Sequence, residues 1–271
     1  MTTPEYVLGS DDAEIARLQT QAAILAEPTA VLVQRGGVRP GMRVLDLGSG
    51  PGDVSFLVAE IVGREGVVIG VEQDPAQIAE ATRRRDALGL TNVEFREGDA
   101  RTYRADEPFD GAVCRLLLMH LPDAVDVLAH QMGNLRHGGV FVAVDYDIGG
   151  ARALPEVELF SQVGEWIRAG FDHAQVDARV GMRLPLYFEQ AGYADIGSLG
   201  LQSFSSPRDG HAARYVVDVA RAMAPAIVAS GVTTEEQMGL DTLADRLVDA
   251  IAAANAVYTA PTVIGGWGRR P

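Results

Sequence analysis

The segment Val44-Leu-Asp-Leu-Gly-Ser-Gly-Pro-Gly-Asp53 packs the most chemistry-bearing residues into the shortest span. An apolar run carrying Asp46 leads directly into Gly48, Gly50 and Gly52, and a helical pattern follows. Glycine permits positive φ and lets a ligand approach the backbone. Strand, glycine turn and helix in that order form the first crossover of an open α/β sheet, where nucleotides bind at the carboxyl ends of strands. Two details narrow the ligand. The dinucleotide pattern is G-x-G-x-x-G/A, but Asp53 stands at its third position, which would set a carboxylate beside a pyrophosphate. Asp46, two residues before the first glycine, suits an ammonium and disfavours a polyphosphate. Glu72 ends the next apolar run, in Gly70-Val-Glu-Gln-Asp74, where a carboxylate can accept from two ribose hydroxyls. These residues point to a nucleoside carrying positive charge.

The elements that must hold these residues alternate. Residues 11–26 are expected as a helix, with Ile15, Leu18, Ala22 and Leu25 on one face, and 29–35 as a second, short one. Strands are expected over Arg43–Leu47, Val67–Val71, Val93–Arg96, Asp110–Leu117 and Val140–Tyr146. Helices are expected over 53–63, 75–88 and 122–136. That rhythm indicates a parallel sheet with helices on both faces, an α/β fold. Further on, 155–170 and 182–191 read as helices and Asp195–Phe204 as a strand. Helices follow over 211–229, kinked or ended by Pro225, and over 234–255, opened by a Thr233-x-x-Glu236 capping box. A last strand covers Val257–Trp267. The stripe Tyr215, Val216, Val219, Ala222 and Met223 either packs on a core or walls an apolar pocket. Asp74 before Pro75 reads as a helix N-cap.

Composition narrows the function classes. The chain has 271 residues and a formal charge of −14, which argues against broad phosphate-backbone binding and so against nucleic acid. Its cations are all Arg; without Lys there is no Schiff-base or P-loop lysine. Cys114 is the single cysteine, so no intramolecular disulfide and no Cys-rich metal site is expected. The opening residues have no basic and then apolar segment of a signal peptide, and no run of about 18 apolar residues exists. A cytoplasmic protein without a membrane span is expected.

Taken together, these residues resemble the class I S-adenosylmethionine-dependent methyltransferases. Gly98-Asp-Ala100 follows the third strand, Phe109–Pro122 resembles the fourth strand and its loop, and Leu135-Arg-His-Gly-Gly-Val-Phe-Val-Ala-Val144 resembles the turn into the fifth. Leu184-Pro-x-x-Phe188-x-x-Ala-Gly192 is similar to a late helix of the small-molecule branch, the ubiquinone/menaquinone-biosynthesis-like enzymes. Tyr6-Val-Leu-Gly9 and Glu14-x-x-Arg17-Leu-x-x-Gln21 resemble an N-terminal cap. The resemblance implies a Rossmann-like, doubly wound, seven-stranded, mostly parallel sheet. It also implies one methyltransferase domain over 1–271: a helical cap at 1–36, a cofactor core at 37–206, an inserted helical lid at 207–255 and a last strand at 256–271. The implied cofactor is S-adenosyl-L-methionine. Gly48, Gly50 and Gly52 would approach its methionine part, Asp46 its ammonium and Glu72 its ribose. Gln73 and Ile78 would flank the adenine, Asp99 and Ala100 would read its amine, and Arg115 would lie near its carboxylate.

The acceptor is expected to be a small, partly apolar molecule methylated at O, N or C. Oligomeric state stays open between monomer and homodimer. A hydroxyl acceptor needs a base; His120, after strand four, is the first candidate, with Asp145 or His173 behind it, and no metal is called for. His120 could equally fix its own loop. Two other classes use the same fold: a non-methylating enzyme that binds the cofactor structurally, and a cofactor-binding regulatory protein. A dinucleotide oxidoreductase is the alternative on cofactor, opposed by Asp46 and Asp53.

Overall fold

A computed structural model describes residues 12–271, with side chains from Thr20 onward. The Tyr6–Gly9 motif and the side chains of Glu14 and Arg17 lie outside the described residues. The chain divides into two compact units, one of Leu25–Tyr146, Val180–Gly200 and Val263–Pro271, the other of the remaining segments.

The first unit is built on a seven-stranded sheet. Its strands are β1 (Arg43–Leu47), β2 (Val67–Glu72), β3 (Val93–Glu97), β4 (Phe109–Arg115), β5 (Leu135–Asp147), β7 (Ala194–Leu201) and β10 (Thr262–Arg269). They lie in the order β3-β2-β1-β4-β5-β10-β7, and β1 pairs in parallel with both β2 and β4, as do β2 with β3 and β4 with β5. Strand order reverses between β1 and β4, so the crevice beyond their carboxyl ends is the switch point where such sheets take ligands. Val44, Leu45 and Leu47 are fully buried, as expected of a central parallel strand covered on both faces.

Helices α1 (Asp12–Gly36), α2 (Asp53–Val62), α3 (Pro75–Leu88), α4 (Ala124–Met132) and α6 (Val180–Gln190) connect or flank these strands. Helix α3 begins and ends where local chemistry dictates. The Asp74 carboxylate accepts from Ala76 N–H at 2.8 Å, Pro75 takes the first turn, and Gly89 closes the helix in the left-handed region. Around α6, Phe141, Phe188 and Tyr193 meet edge to face, and the Tyr193 hydroxyl donates to the buried Leu128 carbonyl at 3.0 Å.

Several expectations are corrected. Residues 11–26 and 29–35 form one helix, α1, which continues through Pro28. Burial of Leu25, Thr29, Leu32 and Val33 along its second half overrides the proline. The expected helix 122–136 is only α4, and β5 starts early, with Leu135 paired to Phe109. The Gly138-Gly139 turn is a bulge inside β5: the register jumps from Phe109↔Leu135 to Gly111↔Val140, and Gly138 takes a positive φ.

The second unit holds helices α5 (Glu158–His173), α7 (Gly210–Ala222), α8 (Ala224–Ala229), α9 (Glu235–Met238) and α10 (Leu240–Ala253). It also has a small sheet, not expected from sequence, of β6 (Ala153–Leu154), β9 (Val257–Thr259) and β8 (Phe204–Ser205), with β9 central and antiparallel to both. The expected strands 195–204 and 257–267 are therefore each broken, the first at Gln202-Ser203 and the second at Ala260-Pro261. The Gln202 amide donates to the carbonyls of Gly150 and Ala260 at 2.9 and 3.0 Å, which holds both breaks. Pro225 ends α7, and Gly239 in the left-handed region separates α9 from α10. The capping box lies one residue later than expected: Thr234 caps α9, and Gln237 accepts from the Thr234 N–H in return. The buried face of α7 is Ala213, Val217 and Ala220, with Tyr215, Val216, Val219 and Ala222 of the expected stripe half-buried at its margins and Met223 buried just past its end; it packs against α10 and α5 inside this unit. Among the described residues no helix is long and apolar enough to cross a membrane.

Candidate active site

The loop between β1 and α2 hangs from the end of β2: Gly48 and Ser49 both donate backbone N–H bonds to the Val71 carbonyl, at 2.8 and 3.1 Å. Gly48, Gly50 and Gly52 have φ of 65°, 50° and 92°, the region that favours glycine. Their surroundings differ. A Cβ on Gly52 would stand 2.7 Å from Phe56 and 2.9 Å from Phe95, and one on Gly48 would stand 3.0 Å from Leu117, but one on Gly50 would meet nothing within 4 Å. Gly52 thus serves packing and Gly50 faces open space. Gly52→Ala combines overpacking with left-handed strain, about 2–5 kcal/mol together. It is expected to lower Tm by roughly 5–15 °C in a thermal melt.

Glu72 is clamped by three backbone amides. Its Oε2 accepts from Gly50 N–H at 3.1 Å, and its Oε1 from Gln73 and Asp74 N–H at 2.8 and 3.1 Å. The carboxylate keeps acceptor capacity beyond these bonds. Asp46, 1% exposed, accepts from the Ser55 hydroxyl at 2.6 Å through Oδ2, while its buried Oδ1 has no partner. Burial pushes its pKa up to about 7, against the opposing pull of the Ser55 hydrogen bond and the Arg115 charge. The Ser49 hydroxyl is a second buried polar atom without a partner. The Arg115 guanidinium, at the end of β4, donates to the buried Thr29 hydroxyl of α1 at 3.4 Å.

The remaining cofactor candidates fall around the same strand ends. Gln73 is exposed just past β2, and Ile78 is half-buried on the first turns of α3. Asp99 follows β3 and accepts from Arg101 N–H at 2.8 Å, and the Ala100 carbonyl accepts from Gln131 of α4 at 2.6 Å. Asp53 does not stand free beside the loop as expected. Its carboxylate pairs with Arg84 at 2.6 Å, and the same guanidinium donates to the Pro51 carbonyl. The charge expected to repel a pyrophosphate is therefore compensated, and Asp46 alone carries that electrostatic argument.

The three acceptor-side candidates lie on different elements. His120 ends a short 3₁₀ turn, Leu118–His120, after β4. It keeps an exposed edge, yet burial of the rest lowers its pKa below the ordinary imidazole value. Asp145, near the end of β5, is 1% exposed, and its Oδ1 accepts from Tyr146 N–H at 3.1 Å. His173 is exposed in the last turn of α5, in the other unit. Cys114 is buried inside β4, its thiol pKa raised by burial and by Asp145 and Asp46.

Sequence reasoning missed Ser55, Thr29, Arg84, Arg101 and Asp123. Only Ser55, one helical turn past the loop, lay close enough to Asp46 in sequence to be found.

Residues 39–191 match the methyltransferase domain family, and the chain belongs to it, within the class I S-adenosylmethionine-dependent methyltransferases. Among curated proteins it is similar to the aklanonic acid methyltransferase of a Streptomyces species (strain C5), 40% identical over 36% of this chain and 46% of that one. It is also similar to the 2-phytyl-1,4-naphtoquinone methyltransferase of Synechococcus elongatus, 34% identical over 42% of this chain and 49% of that one. The chain thus spans about half the length of these curated relatives. Among solved structures, phosphoethanolamine N-methyltransferase 2 of Haemonchus contortus, in complex with S-adenosyl-L-methionine, shares the fold. It is 19% identical, with a TM-score of 0.56, over 90% of this chain and 52% of that one. The residues present fit that cofactor: the buried Asp46 Oδ1 and Ser49 Oγ have no partner, Gly50 is open to a close approach, and the backbone-clamped Glu72 carboxylate holds the same loop.

Proposed function

We propose that this chain transfers a methyl group from S-adenosyl-L-methionine to a small, partly apolar acceptor at oxygen, nitrogen or carbon. The unpartnered, buried Asp46 Oδ1 beside the glycine loop carries the reading, because a carboxylate buried at a cost wants a cationic ligand. When bound, the cofactor supplies an electrophilic methyl on a sulfonium sulfur. The chain's own residues bind and orient. Asp46 takes the ammonium and Arg115 the carboxylate, Gly48, Gly50 and Gly52 admit the methionine part, and Glu72 accepts from the ribose hydroxyls. Gln73 and Ile78 flank the adenine, and Asp99 and Ala100 read its amine. The charge of −14 disfavours nucleic acid as acceptor.

His120 is the group assigned here to take a proton from a hydroxyl acceptor. Its lowered pKa keeps the imidazole neutral at pH 7, the form that accepts a proton. Asp145 and His173 stand behind it as candidates. The test is a screen of hydroxyl, amine and activated-carbon acceptors with radiolabelled S-adenosylmethionine. With a hydroxyl acceptor, His120→Ala is expected to lower kcat roughly 100-fold or more, with S-adenosylhomocysteine affinity unchanged. An unchanged kcat would remove His120 from the chemistry. Tight cofactor binding without methyl turnover on any acceptor would favour a non-methylating enzyme of the same fold.

A further inference from the structure

Asp46 lies on β1 with Gly70 of β2 and Val113 of β4 beside it in register, and neither neighbour carries a polar side chain. Gly70 has to be small there: a Cβ on it would stand 2.6 Å from Phe95 and 2.9 Å from the Ser49 hydroxyl. The side-chain partner of Asp46 comes instead from α2. Ser55, fully buried in the first turn of that helix, donates its hydroxyl to Asp46 Oδ2 at 2.6 Å. A serine near a helix start commonly bonds its own backbone; this one reaches across to the sheet. Among the described residues it supplies the one side-chain hydrogen bond that Asp46 accepts, while Oδ1 is buried with no partner. The helix that follows the glycine loop thereby makes the two carboxylate oxygens unequal.

We infer that Ser55 is a positioning residue of the cofactor site, holding Asp46 Oδ2 so that Oδ1 is the oxygen presented to the ammonium of the bound nucleoside. The inference rests on the cofactor reading above. Ser55 touches no reacting atom; it acts through Asp46. Its hydroxyl fixes the rotation of the carboxylate, because rotation breaks a 2.6 Å bond between two buried groups. It also favours the charged carboxylate over the acid, since a hydroxyl donates more strongly to an anion. The surrounding groups pull both ways. Burial opposes the charge, the Arg115 guanidinium supports it, and Glu72 and Asp53 oppose it, which leaves the pKa at about 7. Buried Cys114 of β4 feels the same charge. This close to neutrality, the Ser55 bond decides what share of the protein holds the charged carboxylate at pH 7.

The test titrates the full chain with S-adenosylhomocysteine between pH 6 and 9. Wild type and Ser55→Ala are compared, and both again with Asp46→Ala added. Alanine suits the helix and removes only the hydroxyl. Without that donor the carboxylate keeps its proton to higher pH. Ser55→Ala is therefore expected to bind about ten-fold more weakly than wild type at pH 6.5, and within about three-fold of it at pH 9. The ligand's own amine titrates equally against both proteins and cancels in the ratio. In the Asp46→Ala background the same substitution is expected to change affinity less than about two-fold, since Ser55 then has no carboxylate to hold. A serine that only packs α2 would cost the same at every pH and in both backgrounds. A ratio independent of pH, or one that persists with Asp46→Ala, overturns the inference and leaves the cofactor reading intact. Wild type that binds no S-adenosylhomocysteine at any pH overturns both.

Discussion

Glu72→Ala is expected to weaken S-adenosylmethionine binding at least about 100-fold, the loss of two hydrogen bonds to a charged acceptor at about 1.5–3 kcal/mol each. Three backbone amides already orient this carboxylate, from Gly50, Gln73 and Asp74. In the proposed role it would meet the ribose hydroxyls in a fixed position, so that little ordering cost offsets the gain. The same side chain braces the glycine loop through Gly50 N–H, and its removal loosens the loop as well. Glu72→Gln keeps one acceptor oxygen but turns an amide donor toward an N–H or a hydroxyl. It is expected to fall between the two, at roughly a ten-fold loss. Titration of both variants with S-adenosylhomocysteine checks the order wild type, Gln, Ala. Equal affinities across the three would remove Glu72 from the cofactor site.

Asp46→Asn is expected to stabilise the ligand-free protein while impairing it as a cofactor binder. The folded pKa of about 7 lies above the ordinary 3.8 because burial penalises the charge. The native state therefore holds a proton that the unfolded state has released. Stability contributed by the protonated form is present below about pH 4, is lost as pH rises toward 7, and stays lost above it. Asparagine carries no charge, so the variant escapes that loss: near pH 4 it matches wild type, and at pH 8 it exceeds it by roughly 2–4 kcal/mol. Cofactor affinity moves the other way, falling about 10–100-fold with the contact to the ammonium. In wild type, binding a cation draws the Asp46 proton off, so affinity rises with pH up to about 7 and protons are released on binding. Melts at pH 4, 6 and 8, with titrations in two buffers of different ionisation enthalpy, check the signs. A variant less stable than wild type at pH 8 would show that the buried carboxylate is not the strained group.

The part of the site that was legible lies along one short stretch of chain. In 44–53 and 67–74 a buried strand, its turn and the following helix start are adjacent in sequence, so apolar runs, glycines and acids report geometry directly. Asp74 and Pro75 marked the start of α3 for the same reason. What was not legible depends on distant partners. Asp53 reads as a bare carboxylate until Arg84, 31 residues on, folds against it. Pro28 reads as a helix breaker because burial along α1 is invisible in the propensity of a single residue. The strands after Ala194 were long in pattern and broken in structure, because β-branched runs say nothing about which of two sheets they join.

Calorimetric titration of wild type and Glu72→Ala with S-adenosylmethionine, S-adenosylhomocysteine and NADH tests the central claim most directly. Micromolar binding of the two sulfur nucleosides by wild type, its loss in Glu72→Ala, and no binding of NADH are the expected results. Binding of NADH alone, or of none of the three, would contradict the assignment of the glycine loop and Glu72 to a cationic nucleoside.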